Sequence, residues 1–62
     1  MSEQSKKVAK KALNNIDDAR NMLGIVRRTF EGLGDKQVAD SVSKLEDNCT
    51  AVREAIQNKL DS

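Results

Sequence analysis

The sequence contains no histidine, proline, tryptophan or tyrosine, one cysteine, Cys49, and one phenylalanine, Phe30. A single cysteine cannot form an intrachain disulfide. Zinc binds poorly at sites whose ligands are almost all carboxylates. Acid–base and nucleophilic catalysis draw on histidine, activated cysteine or serine, lysine, or carboxylates in a dry pocket. A chain of 62 residues has little room for such a pocket. We therefore expect no enzyme, no metal and no cofactor.

Long apolar runs are also missing. The N-terminal lysines are not followed by the apolar stretch of a signal peptide. With Gly24 left aside, no apolar run is longer than Ile25-Val26, whereas a membrane span needs about 20 such residues. A single free thiol agrees with a reducing compartment. These features predict a cytoplasmic protein with no membrane partner.

Apolar residues recur at alternating steps of three and four in each half of the chain, as in packed α-helices. Gly32-Leu33-Gly34 is the one credible break. The pattern predicts an all-α antiparallel helical hairpin forming a single domain over 1–62, with a helix over about 5–31, a turn over 32–35 and a helix over about 36–60. The apolar stripe, as we call these residues, comprises Ala12, Ile16, Ala19, Leu23, Val26, Phe30, Val38, Val42, Leu45, Cys49, Val52 and Ile56.

Residues suited to helix ends flank both predicted helices. Ser2 or Ser5 can cap the first helix, and Gly32 or Gly34 can supply the left-handed residue that ends it. Asp35 is suited to cap the second helix. These signals support two separate helices joined by a tight turn.

The two halves of the stripe are in register. Each stripe residue of the first helix lies as far before Gly34 as one stripe residue of the second lies after it, from Phe30 with Val38 to Ala12 with Ile56. Two helices cannot close a core around these six layers, and a core of this size rarely supplies more than about 3–5 kcal/mol. We expect the hairpin to self-associate into a helical bundle, a dimer or larger, with the apolar stripe as its core.

The same register predicts which charges meet across the hairpin. Arg27 and Arg28 fall at the height of Asp40, and Arg20 falls at the height of Asp47. Exposed ion pairs of this kind contribute about 0–1 kcal/mol. They are expected to add little to stability.

Two features have both a structural and a functional interpretation. Gly24, within the first helix, costs about 0.5–1 kcal/mol relative to alanine, which indicates close approach of either a packed helix or a ligand. The N-terminal lysines either attract an anion or form a solubilising surface. They are Lys6, Lys7, Lys10 and Lys11.

The stretch Lys10–Leu60 aligns without gaps to Rop-like proteins, and its hairpin resembles theirs. The local matches are Lys10, Ala12-Leu13-Asn14, Ala39-Asp40 and Leu45. This resemblance implies a dimeric four-helix bundle that acts as an RNA-binding or protein-interaction adaptor. The RNA-contacting face of that family maps onto Lys7, Asn14, Asp18, Met22 and Thr29, with Asp18 in place of the key aromatic.

A second resemblance covers most of residues 14–57. Ile16-Asp17-Asp18-Ala19 followed by Leu23-Gly24-Ile25-Val26, and Ser43-Lys44-Leu45-Glu46-Asp47 with Ala55-Ile56, are similar to motifs of the phage anti-CBASS and anti-Thoeris cyclic-nucleotide sponges. The usual tryptophan of that family's second helix is missing.

The sponge resemblance implies a non-catalytic homo-oligomer, often a hexamer, in the host cytoplasm. It would sequester a cyclic di- or trinucleotide signal of bacterial anti-phage defence in pockets between protomers. Cations would meet the phosphates, and glycine would permit close approach. The implied ligand-binding residues are Gly24, Arg27, Arg28, Lys36, Ser43 and Lys44.

Overall fold

The computed structural model describes residues 2–62, which form two long helices, α1 over Glu3–Gly32 and α2 over Lys36–Asp61. The helices pack against each other, and no strand occurs in this part of the chain. The predicted all-α hairpin is therefore confirmed, with α1 beginning slightly before the predicted residue 5. Within residues 2–62, neither helix combines the length and the apolar character that crossing a bilayer requires.

The helix ends use particular members of the predicted sets. Ser2 caps α1, its Oγ accepting a hydrogen bond from the Ser5 amide at 3.1 Å. Gly34, at φ +77°, is the left-handed residue of the turn. Asp35 caps α2, its Oδ1 accepting from the Val38 amide at 3.1 Å. Local sequence alone therefore accounts for where each helix begins and for the reversal between them.

The turn supplies a matched pair of substitutions. Gly34→Ala is expected to lower the free energy of unfolding by about 1 kcal/mol, because a Cβ is strained at its positive φ. Gly32→Ala should leave stability unchanged or raise it, since Gly32 ends α1 at negative φ with no atom within 4 Å of an added Cβ. Chemical denaturation of both variants measures the difference. Equal effects would contradict the assignment of the turn to Gly34.

The helices run antiparallel, in a register close to the predicted one. Asp17 is ion-paired with Arg53, and Gly24 lies beside Glu46. The register expected from the apolar stripe would instead place Asp17 level with Ala51 and Gly24 level with Lys44. Both contacts are therefore displaced along α2 by two residues, or about 3 Å, from the predicted layers.

The contact between the helices is nevertheless rotated away from the apolar stripe. Only Val42 of the stripe is buried, whereas Leu13, Gly24 and Ala39 are buried although none belongs to the stripe. Each directly follows a stripe residue, and one residue corresponds to a rotation of about 100° in an α-helix. The contact between the helices thus includes positions that follow the stripe together with one side of the stripe itself.

As a consequence, much of the stripe is exposed. Val26, Leu45 and Val52 are 40%, 49% and 46% exposed, and Ala19 is also exposed. Cys49, another stripe residue, is half-buried in the single hairpin. Viewed from one end of the hairpin, successive residues advance clockwise around one helix and anticlockwise around the other. A rotation by one residue position on each helix therefore turns both halves of the stripe to the same side of the hairpin. We call this side the apolar face.

The hairpin alone has little interior. Its buried apolar side chains are Leu13, Ala39 and Val42, and no side chain in residues 2–62 is less than 2% exposed. The molecule is a flat ribbon with Cα extents of 47 × 15 × 10 Å. The two long helices therefore leave most of their apolar surface in contact with solvent.

Candidate anion-binding groove

A groove of about 450 Å³ lies on the polar face of the hairpin, the side opposite the apolar face. It follows the junction of the two helices near the middle of α1. Its lining is mostly polar, with three cations and one carboxylate. The lining residues are Arg20, Asn21, Gly24, Ile25, Arg27, Arg28 and Glu46.

Gly24 is buried in this groove, but the hairpin does not require a glycine there. A Cβ added to Gly24 would lie 3.7 Å from Glu46 Oε2, which is an ordinary van der Waals contact. Close packing of α1 against α2 therefore does not explain the residue. Approach by a helix of another protomer and approach by a ligand both remain as interpretations of Gly24.

Arg27 is fixed by two carboxylates. Its Nη1 donates to Glu31 Oε1 at 2.7 Å, and its Nε donates to Glu46 Oε1 at 2.6 Å. The hydrogen bond to Glu31, followed by the hydrogen bond and charge of Glu46, raises the pKa of Arg27 above its ordinary value. The guanidinium is thus held in one orientation and stays cationic.

Arg20 and Arg28 differ from Arg27, because neither has a carboxylate oxygen within 4.0 Å among residues 2–62. The expected pairing of these two arginines with Asp47 and Asp40 is therefore wrong. The expected pairing of Arg27 with Asp40 is wrong as well. The rotated contact brings other carboxylates across the junction, and both unpaired guanidinium groups remain available to an anion.

The implied ligand-binding residues do not all lie at one site. Gly24, Arg27 and Arg28 meet in the groove. Lys36 lines a separate hollow of about 310 Å³ at the turn. Ser43 is half-buried on α2.

Lys44 lies apart from the groove. It is exposed and stands two positions before Glu46, which places it about 200° away around α2. Since Glu46 contacts α1, Lys44 lies on the far side of α2 and does not join the groove residues.

Arg20, Asn21 and Glu46 were not among the predicted ligand-binding residues. The spacing of Arg20, Gly24 and Arg27 at i, i+4 and i+7 places them along one side of α1, and this signal is present in the sequence. It indicates a shared side but not that α2 forms the other wall. No cluster of three or more histidine, cysteine or carboxylate side chains suited to a metal ion occurs within residues 2–62.

Comparisons of the chain with protein-family models, with curated proteins and with solved structures give no match. The resemblances to cyclic-nucleotide sponges and to Rop-like proteins remain predictions from short motifs.

Proposed function

We propose that this chain is a non-catalytic homo-oligomeric binding protein that sequesters cyclic nucleotide signals of bacterial anti-phage defence. The observation that carries the proposal is the groove around Gly24, where Arg27 is fixed and Arg20 and Arg28 are unpaired within residues 2–62. The groove volume of about 450 Å³ is within the range of small-molecule sites.

The chemistry of the lining suits a phosphodiester. Arginine presents a planar set of donors that can hold two phosphate oxygens at once. Because Arg27 is already oriented by Glu31 and Glu46, less side-chain freedom is lost when a ligand binds. Ile25 supplies an apolar surface for a base in a chain without tyrosine or tryptophan.

Glu46 lowers the local positive charge of the groove. Its side chain is 18% exposed and its Oε1 is engaged by Arg27. The pair is close to neutral, so attraction of a phosphate falls mainly to Arg20 and Arg28.

Self-association is the second part of the proposal. The hairpin buries few apolar side chains and leaves Val26, Leu45 and Val52 exposed along one face. Covering that face removes apolar surface from water at about 25 cal/mol per Å². The groove lies on the opposite face, so it stays open in a dimer. Further association of dimers, as in a hexamer, would be needed for the pockets between protomers that the sponge resemblance implies.

Isothermal titration with cyclic di-AMP, cyclic di-GMP, cyclic GMP-AMP and cyclic tri-AMP tests the binding function. We expect at least one probe to bind, with Arg20→Gln and Arg28→Gln each weakening it about fivefold, the loss of about 1 kcal/mol from a solvent-screened ionic hydrogen bond. Lys59→Gln, near the end of α2, removes the same charge away from the groove and should leave affinity unchanged. Absence of heat with every probe on folded protein would contradict the proposal.

A second candidate is the Rop-like adaptor, which binds RNA or another protein. It is favoured by three exposed lysines near the start of α1, Lys7, Lys10 and Lys11, none of them ion-paired within residues 2–62. The net charge of +1 and the single aromatic residue argue against RNA binding. A gel-shift assay with a hairpin RNA separates the candidates. A shift without nucleotide binding would replace the first proposal with the second.

A further inference from the structure

We propose that Asn21 reads the base of the bound nucleotide and makes the groove selective for adenine. The inference rests on the proposed function and deepens it, because it names the base of the ligand and the side chain that recognises that base. Its basis is the order of three groups along one side of α1, an amide at Asn21, an apolar side chain at Ile25 and a guanidinium at Arg28.

Asn21 differs in chemistry from the rest of the groove. Among the described residues that line the groove, it is the one with an uncharged polar side chain. It is exposed, and its amide makes no hydrogen bond to another side chain or to the backbone within residues 2–62. An amide both donates and accepts hydrogen bonds, whereas a guanidinium only donates. Asn21 is therefore suited to a base edge that carries a donor beside an acceptor.

The spacing of the three residues matches the order of groups in a nucleotide. Asn21 and Ile25 are at i and i+4, a spacing that puts their Cβ atoms about 5–6 Å apart on one side of the helix. A base that packs on Ile25 then has its edge beside the Asn21 amide. Arg28 lies three positions further along the same side, and it is unpaired within residues 2–62. A base edge at Asn21 thus directs the phosphate toward Arg28.

The Asn21 amide fits adenine better than guanine. Adenine presents its 6-amino group beside a ring nitrogen acceptor, so the amide oxygen accepts from the amino group while the amide nitrogen donates to the ring. Guanine presents two acceptors at the same edge. The amide can donate to one of them, but its own oxygen then faces the other. Two hydrogen bonds form with adenine and one forms with guanine.

Isothermal titration with cyclic di-AMP, cyclic di-GMP and cyclic di-IMP tests the selectivity. We expect cyclic di-AMP to bind about tenfold more tightly than cyclic di-GMP, which corresponds to about 1.4 kcal/mol. Cyclic di-IMP keeps the ring nitrogen but carries an oxygen in place of the 6-amino group of adenine. It should therefore bind as weakly as cyclic di-GMP. In Asn21→Ala the affinities for all three probes should become similar.

Asn14→Ala is the matched control. Asn14 is exposed and lies seven positions before Asn21, about two turns along the same side of α1, but it does not line the groove. Both variants replace an asparagine of α1 by alanine, so an effect of helix propensity would appear in both. Asn14→Ala should keep the preference for cyclic di-AMP. Circular dichroism checks that both variants keep their helices.

The other outcomes separate this inference from the proposed function. Equal binding of cyclic di-AMP and cyclic di-GMP, or a preference that persists in Asn21→Ala, would overturn the role of Asn21 and leave nucleotide binding intact. Tighter binding of cyclic di-GMP would also overturn it, because arginine is the side chain that pairs with the two guanine acceptors. Absence of binding by these probes and by cyclic tri-AMP would overturn the proposed function and the inference together.

Discussion

Val52→Glu is expected to abolish self-association, whereas Ala51→Glu, one position earlier on the same helix, leaves it unchanged. Val52 lies on the apolar face and is 46% exposed in the single hairpin, so a dimer would bury it. An unpaired carboxylate in such an interface costs several kcal/mol. At about 3 kcal/mol the dissociation constant rises by more than 100-fold. Sedimentation equilibrium over a range of concentrations measures the change.

Ala51 is a close control for this substitution. It is exposed and lies about 100° around α2 from Val52, off the apolar face. Both variants add one negative charge to the same helical turn, so a general charge effect would appear in both. Equal dissociation constants for the two variants would contradict the assignment of the apolar face as the interface. Because the hairpin alone buries few apolar side chains, we also expect Val52→Glu to lose helicity on dilution.

Gly24→Ala is expected to separate stability from binding. The added methyl group meets Glu46 Oε2 at 3.7 Å and nothing closer, so the free energy of unfolding should rise by about 0.5–1 kcal/mol through helix propensity. The same methyl group would project into the groove and keep a ligand from the backbone of α1. Overpacking of about 2 kcal/mol predicts about a 30-fold loss of nucleotide affinity.

For this one variant, denaturation should therefore show a higher free energy of unfolding, and titration should show a lower nucleotide affinity. A fall in stability would mean that Gly24 is needed for packing, within the hairpin or between copies. Unchanged affinity would mean that the ligand does not approach α1 at this residue. Arg28→Lys is a useful companion, because it keeps the charge but loses the planar donor set and should weaken binding without changing stability.

The sequence predicted most of the fold because its signals are local. Gly34 and Asp35 indicate where one helix ends and the other begins, and the structure uses both. The spacing of apolar residues predicted two antiparallel helices, and the contacts between them lie within about 3 Å of the predicted layers. Registers of this kind follow from the length of the turn and the period of the helix.

The rotation of the helices was not predicted, for a physical reason. Periodicity tells which residues share a side of a helix, but not whether that side faces a sequence neighbour or a helix from another chain. In a bundle of four helices the stripe points to the centre, between two neighbours. The pairing of Arg27 with Glu46 and the exposure of Leu45 both follow from that rotation.

The groove was predicted only in part for the same reason. Gly24 and Arg28 were named from a motif and from charge, and they do line it. Arg20 was missed because its place depends on where α2 crosses the polar face. Lys44 was named from a sequence motif, which carries no information about helix rotation, and it lies on the far side of α2.

Under this proposal the two faces of the hairpin have two independent functions. The apolar face would hold copies together, and the polar face would hold the anion, so variants of one face should leave the other unaffected. Val52 is a residue of the apolar face, and Arg28 is a residue of the polar face. Ligand binding is then expected without any change in the dimer.

Native mass spectrometry of the unmodified chain mixed with a cyclic dinucleotide tests both functions in one measurement. We predict a dimer of about 13.8 kDa, twice the 6.9 kDa chain, that carries up to two nucleotides, one for each groove. A 6.9 kDa monomer without bound nucleotide would contradict the account.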